Sequence, residues 1–421
     1  MRSFLLMLFG CWFLLGISQE STPSSKIAAI QFEGIKKTKP SFLRRFIQSE
    51  EGQPYDSTLV QKDVQSLRNL QLFLSIKAEV TEDSQGVVLT FHLGEIVTII
   101  PSLDFGGVQG NRYIQVGGVD FHFGGKGAFL GGFYRYNENE QHSFQLFYQE
   151  PYLKGSSWGY RASLTRFANL EPLFVNDGRV EFEYKNYYLE GLGRYEFAFG
   201  HFLYLGGGYL FETYKKAEPV PLANALPDEV EARKLLIKSS HNIQNLAFYN
   251  EFLSGFANTF QAELSIDLDE QYTFWKLFNT FRYFHRIGKS GNFATRLRVG
   301  ASPQTESPIV PFILDSYENI RGTGNRVARG SKEMVWNVEY RHTLYHKDRL
   351  LSVQGVGFSD LGTWELQDAQ LFESNASRIF WGVGLRLQVF RAYNFILRVD
   401  HGINALEPAE RGWVLGVGQY F

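Results

Sequence analysis

Three charged residues far apart in the chain carry its most specific chemistry. They are Arg321 in Ile320-Arg321-Gly322-Thr323-Gly324, Glu339 in Asn337-Val-Glu339-Tyr-Arg341, and Asp360 in Phe358-Ser-Asp360-Leu-Gly362. A guanidinium presents a planar fork of N–H donors, which a carboxylate accepts in two parallel charge-assisted hydrogen bonds. Arg321 sits in a long connection, Ala301 to Lys332, that also holds Pro303, Pro308 and Pro311. Loops of that length are usually functional or disordered. Glu339 shares a strand face with Asn337 and Arg341, opposite Trp336, Val338 and Tyr340, and Asp360 falls on the same inner-face phase of the next strand. An isolated Arg-Gly reads as a solvated turn; with two carboxylates waiting on inner faces, the expectation is an arginine folded inward and pinned.

Bond-making chemistry finds no support. The chain lacks a Gly-x-Ser-x-Gly nucleophile elbow, a His-Glu-x-x-His zinc helix and any cysteine pair, and its 9 His are scattered. Gly322-Thr-Gly324 and the glycines from Gly106 to Gly132 belong to no strand-to-helix unit followed by Gly-Lys-Ser/Thr, so they read as turns and close packing. We therefore expect no enzyme, no cofactor and no metal. A net charge of −2 argues against nucleic acid, which calls for a basic excess.

The elements that position these residues are strands. Residues 1–18 carry Arg2, an apolar run from Phe4 to Leu15 and small residues before Gln19, the pattern of a secretory signal peptide. The single Cys11 lies within it, so the remainder has no thiol. With 16% aromatic residues, 41 Gly and a mean hydropathy of −0.21, the chain is aromatic yet only mildly hydrophobic. A membrane barrel has that mixture, because alternate side chains face lipid and a polar interior.

Between about residue 113 and residue 421 we place about sixteen strand-like segments, including 178–186 and 188–198 as separate strands. Tight connections at 138–140, 199–201, 252–256, 345–348 and 391–392 contrast with long ones at 214–239, 301–332 and 360–377. The segment Asp228 to Ile237 in the first of these fits an amphipathic helix or a solvated loop. In the last strand Trp413, Leu415, Val417 and Phe421 share one face, suited to lipid, and Val414, Gly416, Gly418 and Tyr420 the other. The first strand, from Tyr113, changes phase at Gly117-Gly118, which suggests a bulge or weak pairing. A soluble sandwich would also alternate, but export and loop asymmetry favour a transmembrane barrel.

Residues 26–95 differ. The pattern is strand (Ile27 to Glu33), a helical stretch opened by Lys39-Pro40-Ser41, a helix capped by Asp56-Ser57 with Val60, Val64, Leu67 and Leu70 on one face, then two strands. This is a small α+β domain, joined to the barrel of 113–421 by a linker at 96–112.

Taken together, the chain resembles the BamA/TamA family of outer-membrane assembly barrels, of the bacterial surface antigen type. Ile27 to Glu95 is similar to one polypeptide-transport-associated (POTRA) domain, with Phe-Glu-Gly34 and a Leu-rich segment ending at Phe73. Ile320-Arg321-Gly322 matches the family's Val/Ile-Arg-Gly loop, and the Glu339 and Asp360 segments match the strands that hold it, with Phe358 and Gly362 in the second. Thr323 stands where an aromatic residue is usual, only one POTRA domain is present, and no patatin-like lipase domain is found. The resemblance implies a periplasmic POTRA domain and a lateral seam between first and last strands, lightened by Gly117, Gly118, Gly416 and Gly418. It also implies that Trp413, Tyr420 and Phe421 form a C-terminal assembly signal. The implied partners are outer-membrane lipid, unfolded β-barrel clients or a secreted polypeptide, and periplasmic accessory proteins. The expected function is assistance to insertion or assembly of client β-barrel proteins through the seam; the alternatives are secretion of one dedicated partner and a passive channel or structural surface protein.

Overall fold

The computed structural model describes residues 25–106, 112–138, 141–175, 178–217, 227–249, 251–303, 310–366 and 369–421. The expected signal peptide, 1–18, lies outside them.

The N-terminal domain follows the expected order: β1 (Ile27–Glu33), α1 (Pro40–Leu43), α2 (Ser57–Asn69), β2 (Phe73–Asp83) and β3 (Gly86–Glu95). β3 is central, parallel to β1 and antiparallel to β2. The Asp56 carboxylate accepts from the Thr58 and Leu59 amides and so caps two orphan donors of α2. α2 then buries Val60 and Leu67 against Ile27, Ile30, Leu89 and Phe91 in one apolar core.

A single 16-stranded antiparallel sheet makes the barrel. Its strands are β4 (Ile99–Gly106), β5 (Tyr113–Phe123), β6 (Ala128–Asn137), β7 (His142–Glu150), β8 (Trp158–Val175), β9 (Gly178–Ala198), β10 (His201–Lys216) and β11 (Glu229–Tyr249). β12 (Phe252–Asp267), β13 (Thr273–Ile287) and β14 (Gly291–Ala301) continue it. The long connection then forms its own small hairpin, β15 (Phe312–Leu314) with β16 (Ala328–Gly330). β17 (Lys332–Lys347), β18 (Leu351–Glu365), β19 (Ser377–Val389), β20 (Phe395–Asn404) and β21 (Arg411–Val417) complete the wall.

The strand count agrees with the sequence because two misreadings cancel. The expected linker contains β4, paired with β5 from Ile99↔Asp120 to Gly106↔Tyr113. Pro101 in its middle masked it, and proline is tolerated there because β4 is an edge strand. Conversely, 178–186 and 188–198 are one strand: Asn186 looks like a turn residue but is paired with Glu212 on one side and Phe167 on the other. The segment Asp228 to Ile237, which fitted an amphipathic helix or a solvated loop, is strand from Glu229 onward, because residues 229–243 are paired with β10 along their whole length.

Alternation sorts the side chains as expected. Trp381, Val383 and Leu385 are at least half exposed, while Phe380 and Arg386 on the opposite phase, at either end of this run, are buried on the lumen side. A wall of such exposed apolar residues suits a bilayer and would aggregate in water. Short turns gather on one rim, at 199–200, 250–251, 288–290, 348–350 and 390–394, and the long connections 217–228, 302–331 and 366–376 on the other. Of the tight connection expected at 138–140, residues 139 and 140 lie outside the described residues.

The N-terminal domain packs on the short-turn rim. Lys37 Nζ bonds Asp120 at 2.6 Å, the Lys39 amide donates to Gly125 O at 2.9 Å, and His122 Nε2 meets Thr38 Oγ1 at 3.1 Å. The α2 end is fixed by Gln65 Nε2 to Phe248 O at 3.2 Å and the Phe248 amide to Asn69 Oδ1 at 3.1 Å.

Candidate functional site: the lumenal latch and the seam

Ile320 to Gly324 lies inside the barrel, where an uncompensated charge would be costly and every polar group needs a partner. Arg321 is fully buried. Its Nε and Nη2 donate to Asp360 Oδ2 and Oδ1 at 2.9 and 2.8 Å, the bidentate fork expected from the sequence, and its amide donates to Oδ2 at 3.0 Å. Nη1 reaches Glu339 Oε2 at 2.7 Å. One arginine thus joins β17 to β18. The guanidinium also stacks 3.6 Å from the Phe358 ring centroid, which fixes its plane.

Neighbouring groups complete the network. Asn337 Nδ2 donates to Asp360 at 2.8 Å, Arg341 Nε to Glu339 at 2.5 Å, and Arg386 Nη1 to Asp400 at 2.8 Å. Ile320 packs with Phe312, Leu314, Val335, Trp364 and Phe380. Gly362 makes room for this core, since a Cβ there would meet the Trp364 ring at 2.4 Å. Gly322 requires its own glycine twice over: its φ is +96°, and a Cβ would meet Gly402 O at 2.7 Å. Gly324, at φ +113°, exchanges main-chain and side-chain hydrogen bonds with Ser316. Asp400, Arg386 and Gly402 escaped the sequence reading as members of this site, although the lumen-side phase of β19 and β20 held the signal.

A second anchor lies across the lumen. Glu171 on β8, almost fully buried, forms ion pairs with Arg326 and Arg329 from the same long connection. Nothing near Glu171 in the sequence marked it.

The seam differs from its expected composition. The sheet runs from β21 at one end to β4 at the other, and among the described residues no hydrogen bonds join those two strands. Gly117 and Gly118 are therefore one strand away from the edge. They pair regularly with Ser102 and Pro101, and the irregularity of β5 falls at Asp120 to Phe123 instead. Gly416 lies on β21, where its missing side chain leaves space for the Arg398 guanidinium. At the rim the Val97 main chain, just before β4, bonds Arg391 O and the Tyr393 amide in the turn between β19 and β20, both at 2.9 Å.

The last strand does not continue to the final aromatic residue. It ends at Val417, Gly418 turns at φ +91°, and Tyr420 and Phe421 enter the lumen, so Phe421 leaves the lipid face shared by Trp413, Leu415 and Val417. Lumenal arginines explain the departure from alternation. The Arg321 guanidinium lies 4.3 Å from the Tyr420 ring centroid and that of Arg296 5.1 Å from Phe421, while Arg341 Nη2 donates to Phe421 O at 3.2 Å. Tyr420 Oη donates to Ser316 O at 3.0 Å, tying the tail to the arginine loop.

Comparison with known families matches residues 25–95 to the POTRA model, described as surface antigen variable number repeat, and residues 122–421 to the Omp85 superfamily domain. The chain belongs to the Omp85 superfamily. It is accordingly an outer-membrane barrel with a periplasmic POTRA domain, and the short-turn rim faces the periplasm. Among solved structures, it is similar to BamA from Haemophilus ducreyi lacking POTRA domains 1–3, at 15% identity and TM-score 0.57, over 93% of this chain and 83% of that one. It is also similar to CdiB from Acinetobacter baumannii, at 12% identity and TM-score 0.57, over 94% of this chain and 73% of that one. CdiB from Escherichia coli has 12% identity and TM-score 0.55, over 94% and 75%. These likenesses concern the fold. A comparison with curated protein sequences returns no match.

Proposed function

We propose that this Omp85 barrel inserts client β-strands into the outer membrane through the β4–β21 seam. The observation that carries this reading is the pair of unpaired edges in a sheet whose other strands are continuously hydrogen-bonded. An exposed edge presents main-chain donors and acceptors that an incoming strand can take up, and in lipid such groups cannot stay unsatisfied. The inward tail supports the reading, because it shortens β21 to seven residues and reduces what the two edges offer each other. The latch at Arg321 would hold the lumen closed while the wall opens sideways.

Secretion of a dedicated polypeptide is the second reading. It is favoured by the opposite lumen wall, which is polar and ion-paired: Lys238 bonds Glu190 at 2.8 Å and Glu263 at 3.4 Å, and Lys276 reaches Glu263 at 3.2 Å. A disulfide tying β4 to β21 separates the two. Leu103→Cys with Leu415→Cys, with substitution pairs scanned by one residue along each strand, should abolish client insertion in reconstituted liposomes and restore it on reduction. Full insertion by the oxidised protein sinks the lateral route; undiminished export of a polypeptide by the same locked protein establishes the lumenal one.

A further inference from the structure

A polar contact sits on the lipid-facing side of the wall. Strand alternation puts Asn258 in phase with Phe256 and Phe260 on β12, and Asn279 in phase with Trp275, Leu277, Phe281 and Tyr283 on β13. Phe260, Trp275, Leu277, Phe281 and Tyr283 are exposed on that outer side, while Ala257 and Phe284 on the opposite phase are buried. Asn258 is paired with Phe281 and Phe260 with Asn279, so the two asparagines are diagonal neighbours across adjacent strands. Asn258 Nδ2 donates to Asn279 Oδ1 at 3.1 Å and Asn279 Nδ2 to Asn258 Oδ1 at 3.0 Å, which closes a ring of two amides.

Its depth makes this ring costly. Trp275 and Tyr283, residue types that mark the two membrane interfaces, lie four positions to either side of Asn279 on the same face, so the ring falls midway between them. A carboxamide has two N–H donors and an oxygen with two lone pairs. The ring uses one N–H and one lone pair of each residue, and among the described residues neither side chain makes another hydrogen bond. Hydrocarbon offers nothing to the groups left over.

Those groups are complementary to a copy of themselves. Two such rings facing each other across a two-fold axis set each unused N–H against an unused oxygen of the other, and the apolar flanks Phe256, Phe260, Leu277 and Phe281 meet their own counterparts. Hydrogen bonds between polar side chains join membrane-spanning surfaces for this reason. We propose that β12 and β13 form a docking face for a second copy of this chain, with Asn258 and Asn279 at the two-fold axis. These strands are the ninth and tenth of sixteen counted from β4, so the face lies across the barrel from the β4–β21 seam. A dimer built there leaves both seams facing lipid.

The test uses the full-length protein in liposomes, in a Cys11→Ser background that removes the chain's single thiol. Phe260→Cys places a new thiol beside the proposed axis, and Leu146→Cys places a control on the exposed face of β7. On oxidation the first should form a covalent dimer and the second should not. Asn258→Leu with Asn279→Leu should lower the dimer yield from Phe260→Cys about tenfold, the loss expected when association weakens by about 1.4 kcal/mol. Heat-modifiable gel migration of that variant checks that its barrel is folded. In the same liposomes, photobleaching of protein carrying one dye per chain should fall from two steps to one in the leucine variant. One-step bleaching of the chain with both asparagines, equal cross-linking at Leu146→Cys, or an unchanged yield in the leucine variant overturns the proposal. A cross-link in whole cells from Phe260→Cys to a different outer-membrane protein, with none between copies, overturns it as well.

Discussion

Arg321 contributes three N–H bonds from its side chain and one from its main chain to two carboxylates on adjacent strands, all out of contact with water. Removing it leaves Asp360 a buried charge whose close remaining side-chain donor is the neutral Asn337, while Glu339 keeps Arg341, and stripping a buried charge of its partner costs about 3–5 kcal/mol. Arg321→Ala should lower barrel stability by that amount in urea unfolding. Asp360→Asn should lower it too, and the double substitution should cost much less than the sum of the two. Arg321→Lys should rescue only in part, since an ammonium cannot form the fork; additive losses would show that the pair acts through separate contacts. At the POTRA junction, Glu95 accepts from the amides of Lys36, Lys37 and Thr38. Partial burial pushes its pKa up, but hydrogen bonds from Thr38, Lys37 and Lys36 outweigh that and hold it below the usual 4.5. A depressed carboxylate pKa stabilises the fold above the unfolded value and loses that effect as pH falls through the folded one. Spin labels at Gln61 and Lys154 should therefore report a narrow distance distribution near neutrality that broadens as pH drops below 4.5. Glu95→Gln should broaden it already at neutral pH; a narrow distribution in that variant would remove Glu95 from the junction. Arg321, Glu339 and Asp360 were legible in the sequence because strand alternation assigns a face to each residue. Glu171 was not, since its partners lie over 150 residues away and only closure of the barrel brings them together.

At the scale of elements, the tail after β21 depends on one backbone conformation. Gly418 has φ +91° with open space around its missing Cβ, so strain and not crowding demands glycine there. A β-branched residue at positive φ costs about 1–3 kcal/mol. Gly418→Val should return the tail to extended geometry and withdraw Tyr420 from Ser316. The expected signs are greater exchange protection of main-chain amides along β21 and β4 and slower client insertion. Unchanged protection together with unchanged burial of Tyr420 would show that the lumenal arginines, not Gly418, set the path. The sequence alternation correctly placed Trp413, Leu415 and Val417 on the outer face. Periodicity extended that face to Phe421 because local pattern carries no information about the arginines and the loop waiting inside. β4 was missed for a related reason: a short strand containing Pro101 has little pattern of its own, and its identity comes from pairing with β5.

At the scale of the whole molecule, the chain builds a wall with one join that carries no hydrogen bonds among the described residues, a loop pinned at two sides of the lumen, and a POTRA domain seated over part of the periplasmic mouth. These parts are mechanically connected, because Tyr420 reaches Ser316 in the loop and Val97 links the root of β4 to the turn before β20. Loosening the loop should therefore loosen the seam. Arg326→Ala with Arg329→Ala, which frees the loop from Glu171 while leaving Arg321 in place, should raise single-channel conductance and increase the exchange of β21 amides. A rise in conductance without change at β21 would uncouple plug from seam. Sequence alone determined the membrane barrel, the preceding α+β domain and the arginine with its two carboxylates, since each follows from local periodicity or from residue types that have few uses. Only the tertiary structure decided which strand is the edge, where the chain's last residues go and what shares the lumen with Arg321, because those outcomes depend on closure of a sixteen-stranded sheet, a long-range event that no local pattern encodes.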